Sequence, residues 1–220
     1  WTGKIFKVGA LVVLVGMLTS VVSGGMDAVS GAEGLGKASV GLCALILIYA
    51  AFPIAQVVRS AGDSLAESKS SMVNFVFKDL VVASIKVVGH IAALTALFGA
   101  ICSTVAWILN GSGMTIGVEM IGVFDYLYAL PVEAMSAFLG MLGLGFVDVI
   151  IGNFMTWDVT GSEASGYTVD GALAVGWEFV QVVIILAKLY VVLAFYHFFW
   201  GVLNTFFNWI KSPYLPFKSS

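Results

Sequence analysis

The two histidines are the first candidates for chemistry, because an imidazole can bind a metal or a haem iron. His90 and His197 lie in two different apolar stretches, and a haem held between two membrane helices takes one axial imidazole from each. If Lys86 and Lys211 both mark the inner membrane boundary, the depths of His90 and His197 in the bilayer differ by about 15 Å. The difference falls to about 6 Å if the helix that contains His90 begins near Leu80. We therefore favour two structural histidines that hydrogen-bond neighbouring helices and expect no cofactor, while a haem-binding redox subunit remains a third hypothesis.

Ionisable residues between the apolar stretches are candidates for an ion path. The candidates are Glu119, Asp125, Glu133, Asp148 and Lys188. Glu178 is ten residues from Lys188 on the same stretch, or about 15 Å along a helix, so Asp148 is the better partner for this lysine. The interpretation that we favour places Lys188 at the outer interface, where its long side chain reaches polar headgroups.

No motif predicts a reaction. The sequence contains neither a Gly-x-x-x-x-Gly-Lys phosphate loop nor a His-Glu-x-x-His zinc motif, two patterns that would place catalytic groups at a fixed spacing. Cys43 and Cys102 both lie within apolar runs and are expected to be small core residues rather than a disulfide or a zinc pair. We expect a protein that is not an enzyme and that binds no metal.

Composition assigns the chain to the membrane. Hydrophobic residues make up 60% of it and charged residues 10%, against about 25% charged residues in soluble domains. The net charge of −3 gives no basic surface for nucleic acid. We expect an all-α integral membrane protein, most simply of a bacterial inner membrane.

Apolar stretches long enough to cross a bilayer as helices occur four times. The predicted spans are residues 5–22, 40–58, 87–109 and 189–210, the last being part of an apolar run from 172 to 210. A glycine-rich connector at 23–36 follows the first span, and residues 59–78 are expected to continue the second span as a solvated helix. The chain begins at Trp1, as a processed or an incomplete product would, and 5–22 is expected to be a retained span because a signal peptide has a shorter apolar core.

The distribution of lysine and arginine predicts the orientation. Residues 87–187 contain neither of them, whereas they occur at both termini and between 59 and 86. Basic residues collect in the short loops on the cytoplasmic side. Both termini are therefore expected in the cytoplasm, with residues 110–171 translocated.

The translocated segment contains two apolar stretches, which predict helices at 116–130 and 135–154 with a break at Pro131. Such a helical hairpin could lie in the outer interface, dip into the bilayer as a re-entrant loop, or cross it twice. We favour the first two arrangements, because 116–130 is short for a span.

Glycines in this segment predict contact between subunits. Gly140, Gly143 and Gly145 would let another helix backbone approach closely, and Gly143→Leu should then break an assembly apart. The leading hypothesis is a non-catalytic multi-pass subunit of a larger membrane assembly for secretion, translocation or energy conversion, packed in the bilayer against other subunits or copies of itself. The alternative is a self-sufficient channel or transporter that uses the acidic residues named above.

Overall fold

The computed structural model describes residues 2–111, 121–146, 149 and 167–211, with the backbone alone for 121–128 and 211. These residues are helical without a strand, and the predicted all-α fold with four helices apolar enough to span a membrane is confirmed. The helices are α1 (Thr2–Gly31), α2 (Leu35–Glu67), α3 (Met72–Leu109), α4 (Ile121–Met141) and α5 (Val169–Lys211).

The long helices extend beyond the predicted spans. Helix α1 continues through most of the predicted connector and ends at Gly31. Helix α2 includes the polar residues 59–67, as predicted for part of the 59–78 segment. Once a helix is formed, each further residue adds a hydrogen bond at little cost, so helices extend past the apolar core that stabilises them.

Helices α1 and α2 form an antiparallel pair held closely by two glycines. A Cβ atom built at Gly3 would lie 2.6 Å from the carbonyl oxygen of Gly62. Lys7 and Asp63 form an ion pair of 2.7 Å between the same helices, but both side chains are about half exposed. Since exposed ion pairs contribute little, the backbone contact accounts for more of this packing.

Helix α3 packs between α2 and α5. The thiol of Cys43 lies 3.5 Å from the backbone oxygen of Cys102 on α3, and both cysteines are buried, as predicted. On the other side of α3, Gly89 is covered by Leu189 of α5, whose Cδ1 would lie 2.5 Å from a Cβ at position 89. The two contacts fix the register of all three helices.

The buried side of α5 repeats at alternating spacings of three and four residues. Its members include Val175, Glu178, Leu189, Val192, Tyr196 and Phe199. This spacing keeps one face of a helix against a neighbour along its length. Helix α5 is therefore held on one side only among the described residues.

Helix α3 begins with a π-helical segment, Phe75–Leu80, that contacts α5. The Tyr196 hydroxyl donates a hydrogen bond to the carbonyl of Phe77. The Phe77 ring stacks on Trp200 with 6.1 Å between centroids. A π-helix shifts backbone carbonyls out of the regular α pattern, which here supplies an acceptor for a buried tyrosine.

Helix α4 differs from the prediction at Pro131, where no break occurs. The helix runs through this proline to Met141. Proline in a helix interior costs about 3 kcal/mol through a lost hydrogen bond and a steric clash. Here Val132, Met135 and Leu139 are 0% exposed, and their burial offsets that cost.

The chain turns after Met141 instead. Gly143 has a φ of +80°, its N–H donates to Gly140 O at 3.0 Å and the N–H of Leu144 donates to Leu139 O at 2.9 Å. This pair of bonds is the Schellman motif, which ends a helix with a left-handed residue that is usually glycine. The residue that ends this helix is therefore Gly143, and not Pro131 as predicted.

Helix α4 also reaches an unexpected end of the bundle. We call the end with Lys7, Asp63 and the π-helix the basic end, and the opposite one the far end. Gly111 packs against Ser39 at the far end, yet Phe138 contacts Phe199 with 5.4 Å between ring centroids, near the π-helix at the basic end. Tyr167 is again at the far end, stacked on Trp107 at 4.7 Å. Among the described residues, Gly111 and Tyr167 thus lie at the far end and Phe138 at the basic end, while 116–120 and, apart from 149, 147–154 of the predicted hairpin lie outside the described residues.

Candidate functional site

Four basic side chains, one from each long helix, lie at a similar level along the bundle. This set, the basic belt, consists of Lys7, Arg59, Lys86 and Lys188. Lys7 and Arg59 line one cavity between α1 and α2, and Lys86 lines another beside Ser60. Because Leu189 packs on Gly89, three residues beyond Lys86, Lys188 lies within about one helical turn of the level of Lys86.

This register changes the interpretation of Lys188. The prediction put Lys86 at the inner interface and Lys188 at the outer one, and the contact between Gly89 and Leu189 contradicts it. The predicted spans 87–109 and 189–210 accordingly lie end to end along the bundle rather than side by side. Lys188 is half-buried and has an interaction within the structure, while its predicted partner Asp148 lies outside the described residues.

A groove follows the line between α2 and α3, from the basic end toward the middle of the bundle. Its first part is a cavity of about 340 Å³ at the basic end, where His197 of α5 also contributes. Its second part, of about 640 Å³, reaches Pro53 and Leu94. The two parts share Ser64, Ala83 and Lys86, and both volumes are within or close to the range of ligand pockets, roughly 300–1,000 Å³.

The polarity of this groove changes along its length. Lys78, Asp79 and Ser68 line the basic end, Ser60, Ser64, Lys86 and His90 follow, and Pro53, Val57 and Leu94 line the inner part. Ser60, Ser64 and Lys86 are exposed, so this part of the groove opens to the surface of the protein. It therefore joins a polar, charged end to an apolar end.

The charge of the polar end is positive. The carboxylate of Asp79 accepts hydrogen bonds from the hydroxyls of Ser68, at 2.5 Å, and Ser70, which hold it toward the α2–α3 connection. Among the described residues Lys78 and Lys86 form no ion pair. Two ammonium groups thus face this end against one carboxylate that is already hydrogen-bonded.

The two histidines are placed alike but far apart. Each Nδ1 lies 2.6 Å from the carbonyl four residues earlier, of Lys86 for His90 and of Leu193 for His197. A carbonyl only accepts, so Nδ1 carries the proton and Nε2 is left for other partners. The α3–α5 register separates the two levels by about ten residues, or about 15 Å, too far to ligate one haem iron between them. The geometry does not fit the haem hypothesis.

The predicted ion-path acids are not brought together by the described structure. Glu119, Asp148 and the side chain of Asp125 lie outside the described residues, and Glu133 is exposed on α4. Glu178, which was not among these candidates, is 6% exposed on the buried side of α5. Its spacing of eleven residues from Leu189, about three helical turns, was the signal that could have shown this.

The predicted packing glycines make no close contact with the part of the chain that the structure describes. A Cβ at Gly140, Gly143 or Gly145 would meet nothing within 4 Å. Gly143 is nevertheless required by its positive φ, so Gly143→Leu would strain the turn whether or not a partner packs there. Among the described residues the close approaches occur at Gly3, Gly62, Gly89 and Gly111, none of which was among the predicted packing glycines.

Comparison with known proteins identifies no relative. No family model, curated protein or solved structure matches the chain. Among the residues that the structure describes, no three His, Cys, Asp or Glu side chains are grouped to hold a metal ion. The groove and the exposed surface of α5 are the features that bear on function.

Proposed function

We propose that this chain is a non-catalytic, multi-pass subunit of a larger membrane assembly, of the kind that serves secretion, translocation or energy conversion. The observation that carries the proposal is the length and exposure of α5. This helix has 43 residues, so it is about 65 Å long against a hydrocarbon core of about 30 Å. Only 22% of its most apolar window is buried within the chain, the lowest share of the four long helices, against 28% for α1 and 44% for α2 and α3.

The basic belt supports one position for the bilayer. Polar or interfacial residues at the far end are Asp27 on α1, Lys37 on α2, Trp107 on α3 and Thr168 beside α5. On each helix they are 20–22 residues from the belt, or about 30–33 Å, which equals the hydrocarbon thickness. Between the two levels, α1 and α2 contain no Asp, Glu, Lys, Arg or His, α3 contains only His90, and α5 contains Glu178 and, next to the far boundary, Asp170. We place the hydrocarbon core between these levels.

In this position the C-terminal part of α5 leaves the bilayer on the belt side. Residues 189–211 would extend about 33 Å beyond it, and between Gly201 and Ile210 only Leu203 is partly buried. Phe206, Phe207, Trp209 and Ile210 are each 46–53% exposed. An apolar patch of this size in water marks a protein interface.

Part of α5 protrudes from the bilayer whichever segment of the helix crosses it. If residues 189–210 crossed instead, the other end would protrude, where Leu173, Trp177 and Val180 are 68%, 57% and 45% exposed. Tilting the helix to fit would require about 60°, outside the usual range of roughly 0–40°. Either end therefore needs cover from another subunit.

Orientation is tested by labelling single cysteines in a chain where Cys43 and Cys102 are replaced by alanine. Because basic residues mark the cytoplasmic side, an impermeant thiol reagent should label Glu33→Cys in intact cells. It should label Ser71→Cys, in the connection before α3, only after the cells are opened. Both positions are exposed, so the reverse pattern would invert the proposed orientation.

The assembly itself is tested by mass. Native mass spectrometry after gentle solubilisation should give a particle that exceeds the 23.3 kDa chain by at least one further polypeptide. Gly140→Leu, on an open face of α4, should reduce that particle to smaller species while leaving α1–α3 and α5 inserted. A lone chain with bound lipid alone would contradict the proposal.

A further inference from the structure

We infer that the groove between α2 and α3 is a binding site for one anionic phospholipid, whose phosphate lies at Lys86 and whose acyl chain lies along Pro53, Val57 and Leu94. The inference uses the bilayer position proposed above, but not the identity of any partner subunit. First, the groove changes from charged and polar at one end to mainly apolar at the other, which is the order of headgroup and acyl chain in a phospholipid. The headgroup end is lined by Lys78, Asp79, Lys86 and serines, and the opposite end mainly by apolar side chains, with Gln56 as the polar residue among them.

The level of the groove gives the second argument. Lys86 belongs to the basic belt, which marks one boundary of the hydrocarbon core. Leu94 lies eight residues further along α3, about 12 Å into the bilayer. A lipid of the adjacent leaflet would reach both parts of the groove without leaving its usual depth.

Charge gives the third argument. Lysine binds phosphate as a point charge, and basic pockets between membrane helices on the cytoplasmic side bind anionic headgroups. Asp79 accepts hydrogen bonds from Ser68 and Ser70 and, among the described residues, forms no ion pair with Lys86, so this end holds two ammonium groups against one carboxylate. The hydroxyl of Ser60, which is exposed in the groove, can donate to a phosphate oxygen, whereas that of Ser64 donates to the carbonyl of Ala61 at 2.9 Å.

A second cavity on the other side of α2 shows the same order of residues. It has a volume of about 410 Å³, with Lys7 and Arg59 at the belt and Leu11, Leu14 and Phe52 toward the bilayer centre. Lys7 is already paired with Asp63, so this cavity offers less free charge. We therefore expect the α2–α3 groove to bind the lipid more tightly.

The test measures lipid adducts on the purified, delipidated chain by native mass spectrometry. Dioleoylphosphatidylglycerol should form a one-to-one adduct at concentrations where dioleoylphosphatidylcholine does not. Lys86→Gln should weaken this adduct about fivefold, since each basic residue near a lipid surface contributes about 1 kcal/mol. Lys37→Gln is the matched control, because it removes the same charge from an exposed position at the far end of α2.

Three results would overturn the inference. Equal adducts with the two lipids would remove the requirement for an anionic headgroup. If Lys86→Gln and Lys37→Gln weaken the dioleoylphosphatidylglycerol adduct equally, the adduct depends on the net charge of the protein and not on Lys86. Displacement of the lipid by glycerol 3-phosphate at equal concentration would show that the acyl part of the groove contributes nothing. None of these results would alter the particle mass on which the assembly proposal depends.

Discussion

Replacing Gly62 with leucine should separate α1 from α2 and destabilise the protein by at least about 1–3 kcal/mol, the usual cost of overpacking. A Cβ at this position would lie 2.9 Å from Gly3 O and 2.9 Å from the Cβ of Phe6. Both are at or next to the backbone, so no flexible side chain can move aside. The α1 helix as a whole would have to shift, and the ion pair between Lys7 and Asp63 would be lost with it.

Gly41→Leu is the matched control for this variant. Gly41 is on the same helix, and a Cβ there would meet nothing within 4 Å. Unfolding of each purified variant, followed by circular dichroism during titration with sodium dodecyl sulfate, should show a lower midpoint for Gly62→Leu and an unchanged one for Gly41→Leu. Equal midpoints would mean that the α1–α2 contact is looser than the structure shows.

The sequence predicted the elements well, because length and polarity determine them. An apolar stretch of 18 or more residues has to be helical in a bilayer, since no water is there to hydrogen-bond its backbone. The burial of Cys43 and Cys102 follows from the same reasoning, because both lie in the middle of such stretches. Helix α2 continues past residue 58 as predicted, but it ends at Glu67 rather than at 78.

Contacts between helices could not be predicted in the same way. The level of Lys188 depends on Leu189 packing against Gly89, a pairing of residues a hundred positions apart that leaves no local pattern. Pro131 is helical because the residues after it are buried in tertiary contacts. Glycine is frequent throughout membrane helices, so its sequence spacing did not distinguish Gly62, which touches a neighbouring backbone, from Gly41, which does not.

The second large effect is expected at the C-terminal part of α5. A photoreactive benzoylphenylalanine in place of Phe206 should cross-link to another polypeptide in native membranes, because this side chain is 53% exposed and lies beyond the proposed hydrocarbon core. The same group in place of Trp177, 57% exposed on the same helix, lies near the middle of the core and should form mainly lipid adducts. The two positions differ little in exposure, so the comparison isolates their depth.

Photo-cross-linking at Phe206 is the most direct test of the claim that another subunit covers the end of α5. The account predicts a covalent product heavier than the chain by the mass of a second polypeptide, and this product should be absent when the purified monomer is irradiated in detergent alone. Lipid adducts alone at position 206, with no protein product in native membranes, would contradict it.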